Sequence, residues 1–159
     1  MQKAALIKQI SDALKASLRV LQEAARSSRA EATDESNRSE NKYDTRSLEA
    51  GYLAQGQARQ AQELIDAIET YEQLQPRAFP AGAPIELTAV VELEADGARA
   101  RYFVGPRSGG LTVSFDGETY VVITPSSPLG QALMGKREGY AWATKRGGRL
   151  VKQRVLSVR

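Results

Sequence analysis

The spacing of apolar residues changes character near Gln75, and one layer of structure cannot satisfy both halves of the chain. Before that point an Ala-, Gln- and Glu-rich stretch contains no proline; after it, QPRAFPAGAP leads into Val-, Thr- and Tyr-rich runs. Apolar residues three and four apart share one stripe of a helix, whereas short β-branched runs between turn residues form strands. In residues 1–30, Ile7, Ile10, Leu14, Leu18 and Leu21 follow the first pattern. From Leu48 onward Ala54, Ala58, Ala61, Ile65, Ile68 and Tyr71 repeat it, with Gly51, Ala54 and Ala58 small enough to admit a close neighbour. Two such narrow stripes predict an antiparallel coiled-coil hairpin over residues 1–75, with arms roughly 40 Å long.

The tip of that hairpin falls near residues 31–44, where apolar residues vanish apart from Ala and Tyr43. Its acids are Glu31, Asp34, Glu35, Glu40 and Asp44, against the bases Arg38 and Lys42. A polar, solvated helical turn accounts for the same composition. Pro76, Pro80 and Pro84 then mark a semi-rigid linker over 76–84.

Beyond the linker, IELTAVVELEA, ARARYFVG, LTVSF and ETYVVIT are separated by Asp96-Gly97, Gly109-Gly110 and Asp116-Gly117, all turn dipeptides. They predict an antiparallel sheet of four strands. In TPSSPLGQALMG, Ser127 is placed as N-cap, Pro128 at the first helical position and Gly135 as the stop of a short helix. A last hairpin turns at Arg146-Gly147-Gly148. The fold class is therefore α+β, with residues 85–159 as a C-terminal domain in which an antiparallel sheet wraps one short helix.

Composition narrows the chemistry. The 159 residues include 22 Lys and Arg and 19 Asp and Glu, for a net charge of +3, with neither His nor Cys. Disulfides, thiolate metal sites and Ser-His or Cys-His nucleophiles are excluded. No apolar run spans a bilayer and no signal peptide opens the sequence, so a soluble, cytoplasmic protein is expected. Charge is divided unevenly: residues 1–76 hold 10 bases and 12 acids, residues 77–159 hold 12 bases and 7 acids. From Lys136 onward eight bases face only Glu138. That basic end suits RNA or DNA phosphate or an acidic protein surface, or is simply the solvent face of an edge strand.

The order of these parts resembles the Gre family of bacterial transcription elongation and transcript-cleavage factors. The stretch Ile123–Gly139 carries the likeness through Ser127-Pro128-Leu129, Ala132-Leu133 and Gly135-Lys136, followed by Gly147-Gly148 and a Val-rich strand. Ser39-Glu40-Asn41 with Tyr43 is similar to the family's tip motif. The resemblance implies an FKBP-like C-terminal domain that grips RNA polymerase at its secondary channel, through Ser126, Ser127, Pro128 and Leu129. It implies a coiled coil that passes inward to the active centre. Tip carboxylates there help hold a second Mg²⁺ and a water that cleaves backtracked RNA, since two metals clamp the attacking and leaving oxygens.

Such a factor is no enzyme and needs no cofactor of its own; it lends ligands to the Mg²⁺ of the polymerase and is expected to act as a monomer. Glu40 is the matched acid and, with Asp34, the expected metal ligand in the complex. Three residues before Glu40, where the family has an aspartate, this chain has Asn37, a weaker Mg²⁺ ligand that cannot act as a base. Asp34, Glu35 and Asp44 are the substitutes. Glu40 equally suits a helix's first turn electrostatically. Arg19, Arg26 and Arg29 correspond to the basic patch that holds the RNA 3′ end, or are solvated arginines of a coiled coil. The competing functions are a channel-occupying regulator without cleavage activity, a peptidyl-prolyl isomerase, and a self-associating coiled coil.

Overall fold

The computed structural model describes residues 2–33 and 46–159, with the side chains of these apart from 28, 29, 31–33 and 46–54. Two helices come first, α1 (Lys3–Thr33) and α2 (Arg46–Gln73). They are followed by β1 (Val90–Ala95), β2 (Ala98–Val104), β3 (Thr112–Phe115), β4 (Glu118–Ile123), the short α3 (Pro128–Leu133), β5 (Ala141–Arg146) and β6 (Arg149–Val158). The chain is thus α+β. It divides into two compact units, a sheet unit of residues 1–9 and 73–159 and a helical unit of residues 10–72, with the division falling inside α1. No helix among the described residues is long and apolar enough to cross a membrane.

Among the described residues of the helical unit, the buried apolar ones are Ile10, Leu14, Ala67, Ile68 and Tyr71. Each follows the three-and-four spacing that keeps one helical stripe out of water. Lys15 on α1 and Glu72 on α2 form an ion pair at 2.6 Å, and the hydrogen bond to Glu72 raises the Lys15 amine above its usual pKa.

The sheet unit is built on six strands in the order β3-β4-β2-β1-β6-β5. The sequence predicts an antiparallel sheet, and here it is corrected: β2 and β4 run parallel, with Phe103 opposite Val122, while every other pair is antiparallel. The cause is the connection after β2. Asp96-Gly97, Asp116-Gly117 and Gly147-Gly148 each close a two-residue hairpin, and all six residues have φ between 50° and 82°, as a primed turn requires. Gly109-Gly110 closes no hairpin. It lies in a loop over 105–111 whose amides at Gly105 and Gly110 donate to Ile123 and Val122 of β4. The loop carries β3 past the place beside β2, and β4 turns back into it. Residues 105–117 thereby supply the dozen or so positions that a parallel connection needs.

Alternation along the strands gives the sheet two faces. On one, Val91, Leu93, Val104, Ile123, Val155 and Val158 form a buried cluster with Ile85, Ala89 and Leu133 of α3. On the other, Val90, Phe103 and Val122 make a row across β1, β2 and β4, none more than 2% exposed. Each such side chain contributes about 1.5–3 kcal/mol by leaving water.

The segment between α2 and β1 packs on this unit. Ile85 exchanges backbone hydrogen bonds with Gly135 and Lys136, at 2.8 and 2.7 Å. Thr88 is buried with φ at 71°, and its hydroxyl accepts the Arg77 amide at 3.0 Å. The Lys3 amine donates to the Arg77 carbonyl and lies 4.2 Å from the Phe79 ring centroid. The Arg77 guanidinium lies over the same ring and pairs with Glu86. Desolvation first, and the Arg77 charge second, lower the Lys3 pKa from 10.5 to about 8. Between those values the unfolded chain binds more protons at Lys3 than the folded one, so its contribution to stability rises with pH through that window. A ¹³C-detected titration of the lysine side chains is expected to place the Lys3 midpoint near pH 8; a midpoint near 10.5 would show that the amine keeps its water.

Candidate functional site

The stretch singled out by the sequence forms a turn and helix at the ends of β2 and β4. The chain leaves β4 at Thr124 and reverses through Pro125 and Ser126 into α3. Ser127 is the N-cap, in extended conformation (φ −67°, ψ 154°), with Pro128 next to it in the first turn, where a missing amide hydrogen costs nothing. The Ser127 hydroxyl accepts from the Gly130 amide at 3.1 Å and donates to the Thr124 carbonyl at 2.7 Å. That same carbonyl accepts the Ser127 amide at 3.0 Å. The Gln131 side-chain amide donates to the Ser126 carbonyl at 3.1 Å, which holds the turn against the helix.

These bonds divide the four sequence-predicted docking residues by role. Ser127 is committed to the cap through both its donor and its acceptor. Leu129 is half-buried against the core cluster. Ser126 and Pro128 are exposed, and among the described residues the Ser126 hydroxyl has only Thr124 Oγ1 as a partner, at 3.3 Å. The Gly-rich loop 105–110 lies alongside: a Cβ on Gly109 would sit 3.4 Å from Thr124 Cγ2. Gly130 is buried, and its approach to the Thr124 carbonyl leaves no room for a side chain. Capping rules locate Ser127 from sequence; the requirement for Gly130 had no local signal.

Arg19 and Arg26 are exposed on α1, seven residues apart and so on nearly one stripe. The Arg29 side chain lies outside the described residues. So do Asp34, Glu35, Asn37, Glu40, Asn41 and Asp44. No group of three or more Asp and Glu side chains gathers as a metal site among the described residues.

A second feature escaped the sequence. On the face opposite α3, the Glu92 carboxylate is almost enclosed. Arg159 lies 3.5 Å from it, Arg101 3.7 Å and Arg99 4.0 Å. Arg101 also pairs with Glu118. Beside this cluster a cleft of about 680 Å³ is lined by Gln2, Arg101, Phe115, Asp116, Glu118, Tyr120 and Arg159. Its charged lining differs from the apolar, aromatic pocket that prolyl isomerisation would use. The signal in the sequence was Glu92 inside the otherwise apolar start of β1.

No protein-family model matches this chain, and no curated protein sequence is similar to it. Solved structures are. Thermus thermophilus GreA factor homolog 1 is 20% identical, over 98% of this chain and 94% of that one, with a TM-score of 0.37. Thermus aquaticus Gfh1 is 24% identical over 92% of each chain, with a TM-score of 0.38. Both carry the name Gfh1, GreA factor homolog 1. A transcription elongation factor GreA/GreB from Nitrosomonas europaea is 20% identical over 60% of this chain and 78% of its own, with a TM-score of 0.37. At such values the likeness carries no argument, and the functional reading rests on this chain's own residues.

Proposed function

We propose that this chain is a Gre-type transcription factor that binds RNA polymerase at its secondary channel, carries its acidic segment to the active centre and stimulates cleavage of backtracked RNA. The observation that carries the proposal is the capped turn 123–139, built from the residues that resemble the family's docking segment, with Ser126 and Pro128 turned to solvent. Ser39-Glu40-Asn41 occurs in the same chain at the position expected of a tip. In this reading Glu40, assisted by Asp34, Glu35 or Asp44, supplies oxygen ligands to the polymerase's Mg²⁺, and Arg19, Arg26 and Arg29 hold the RNA 3′ end. The chain contributes ligands and position, and the polymerase contributes the remainder of the site.

The test is binding to core RNA polymerase, read by fluorescence anisotropy of the labelled chain. Saturable binding at micromolar concentration is expected. Ser126→Arg, at an exposed hydroxyl outside the cap, is expected to weaken it about tenfold, equivalent to roughly 1.4 kcal/mol. Absence of wild-type binding at that concentration would remove the proposal. A second reading, occupation of the channel without cleavage, is favoured by one residue, the neutral Asn37 three positions before Glu40.

A further inference from the structure

The sheet unit pairs most of its cations. Arg77, Arg99, Arg101, Arg149 and Arg159 each reach a carboxylate. Lys136 lies over the Tyr140 ring and Arg137 donates to the Gly82 carbonyl. Four cations have no such partner among the described residues, namely Lys145, Arg146, Lys152 and Arg154, and all four belong to the β5–β6 hairpin.

The register places three of them together. Ala141 lies opposite Arg154, Ala143 opposite Lys152 and Lys145 opposite Leu150, so these six residues share one face of the hairpin. All six are exposed, whereas Trp142, Thr144, Val151 and Gln153 on the other face are half-buried or buried. No acid lies on the exposed face within the hairpin. Glu94 of β1, the register partner of Arg154, makes no ion pair with it. β5 is the last strand of the sheet, so nothing in the sheet flanks its outer edge.

We propose that this face binds the phosphodiester backbone of a nucleic-acid duplex without reading its sequence. Unpaired cations on a hairpin that carries no acid of its own complement a polyanion, although Glu94 of β1 lies beside Arg154. Protein interfaces are depleted in Lys and Ala at their centres and anchored by aromatic residues or Met. This face instead consists of Lys, Arg and Ala, with Leu150 its one large apolar side chain, so phosphate is the better match. Ala141 and Ala143 let a phosphate ridge approach the strands closely, and a two-stranded ribbon has the dimensions of a duplex major groove. No aromatic ring is offered for stacking, which argues against unpaired bases. The proposal stands on the hairpin alone and does not depend on polymerase binding.

The experiment is anisotropy of a fluorescent 20-base-pair DNA duplex titrated with the full chain between 50 and 200 mM KCl, in the absence of polymerase. If Lys145, Lys152 and Arg154 each neutralise one phosphate, they contribute about 2.7 to the slope of log affinity against log salt. That share corresponds to a loss of roughly 40-fold across this range. The triple variant Lys145→Gln, Lys152→Gln, Arg154→Gln should lose that part of the slope and keep its thermal unfolding midpoint. The proposal is overturned if the wild type does not bind the duplex at 50 mM KCl, or if the triple variant binds as the wild type does. It is also overturned if polyglutamate competes as well as unlabelled duplex, which would assign the face to an acidic protein surface.

Discussion

Gly130→Ala is expected to destabilise the sheet unit by about 3 kcal/mol or more, although alanine is the better helix former by about 1 kcal/mol. The two considerations have opposite signs, and geometry decides between them. A Cβ on Gly130 would stand 1.8 Å from the Thr124 carbonyl oxygen, 2.8 Å from its carbon and 2.9 Å from Ser127 Oγ. No rotamer relieves this, because the atoms that must give way are backbone. They are also the atoms that hold the turn, since the Thr124 oxygen receives both the amide and the hydroxyl of Ser127. α3 has six residues, with Leu133 at 0% exposure in the core, so displacing one end moves the other. Thermal unfolding should show the midpoint of the sheet unit lowered by roughly 12–24 °C. Ser127→Ala, which removes the cap without a clash, should cost only about 1 kcal/mol. A Gly130→Ala protein as stable as the parent would mean that the turn has slack and that glycine there is incidental.

Under the proposed function, the largest effect on activity is expected at Glu40. A metal ligand stabilises the charge of the transition state by several kcal/mol, and each 1.36 kcal/mol is tenfold in rate. Glu40→Gln keeps the size of the side chain and removes its charge. It should therefore reduce stimulated cleavage of backtracked RNA by about 10²–10³-fold while leaving polymerase binding unchanged. Asp34→Asn tests whether Asp34 serves in place of the missing aspartate, and Asn37→Asp should raise the rate if the amide limits it. Cleavage that persists in Glu40→Gln would move the ligand to another acid. If the wild type competes for the secondary channel and shortens no transcript, occupation of the channel is the function and Asn37 its cause.

What could be read in advance followed from local rules. Intervals of three and four gave α1 and α2; Asp-Gly and Gly-Gly pairs gave three tight turns; the Ser127-Pro128 pair gave the start of α3. What could not be read was non-local. The parallel alignment of β2 with β4 depends on where the loop 105–111 sets β3 down, and Gly109-Gly110 looks in sequence like any hairpin turn. β1 begins at Val90 rather than nearer Ile85, because Thr88 adopts a positive φ that its residue type disfavours. That residues 1–9 group with a sheet 80 or more positions away is equally invisible to periodicity. At the candidate site, the cap was legible and the close approach at Gly130 was not, since it is set by the path of the backbone four to six residues earlier. The Glu92 cluster joins Arg99 and Arg101 on one strand to Arg159, and only register brings them together.

The pairing of β1 with β6 bears on synthesis. β1 lies in the middle of the sheet, and its second neighbour comes from the last strand; Glu92 and Arg159, which meet beside that seam, are 67 positions apart. Local hairpins can form as the chain emerges from the ribosome, but the open side of β1 must wait for residues 149–158. Until then Val91 and Leu93 lack the Val155 and Val158 side chains that cover them, and an unpaired apolar strand edge is a template for association with other chains. Completion of the sheet is therefore a late, long-range closure rather than a growth from one end. A nascent chain stalled before residue 149 should be open to protease across β1 and a preferred client of chaperones.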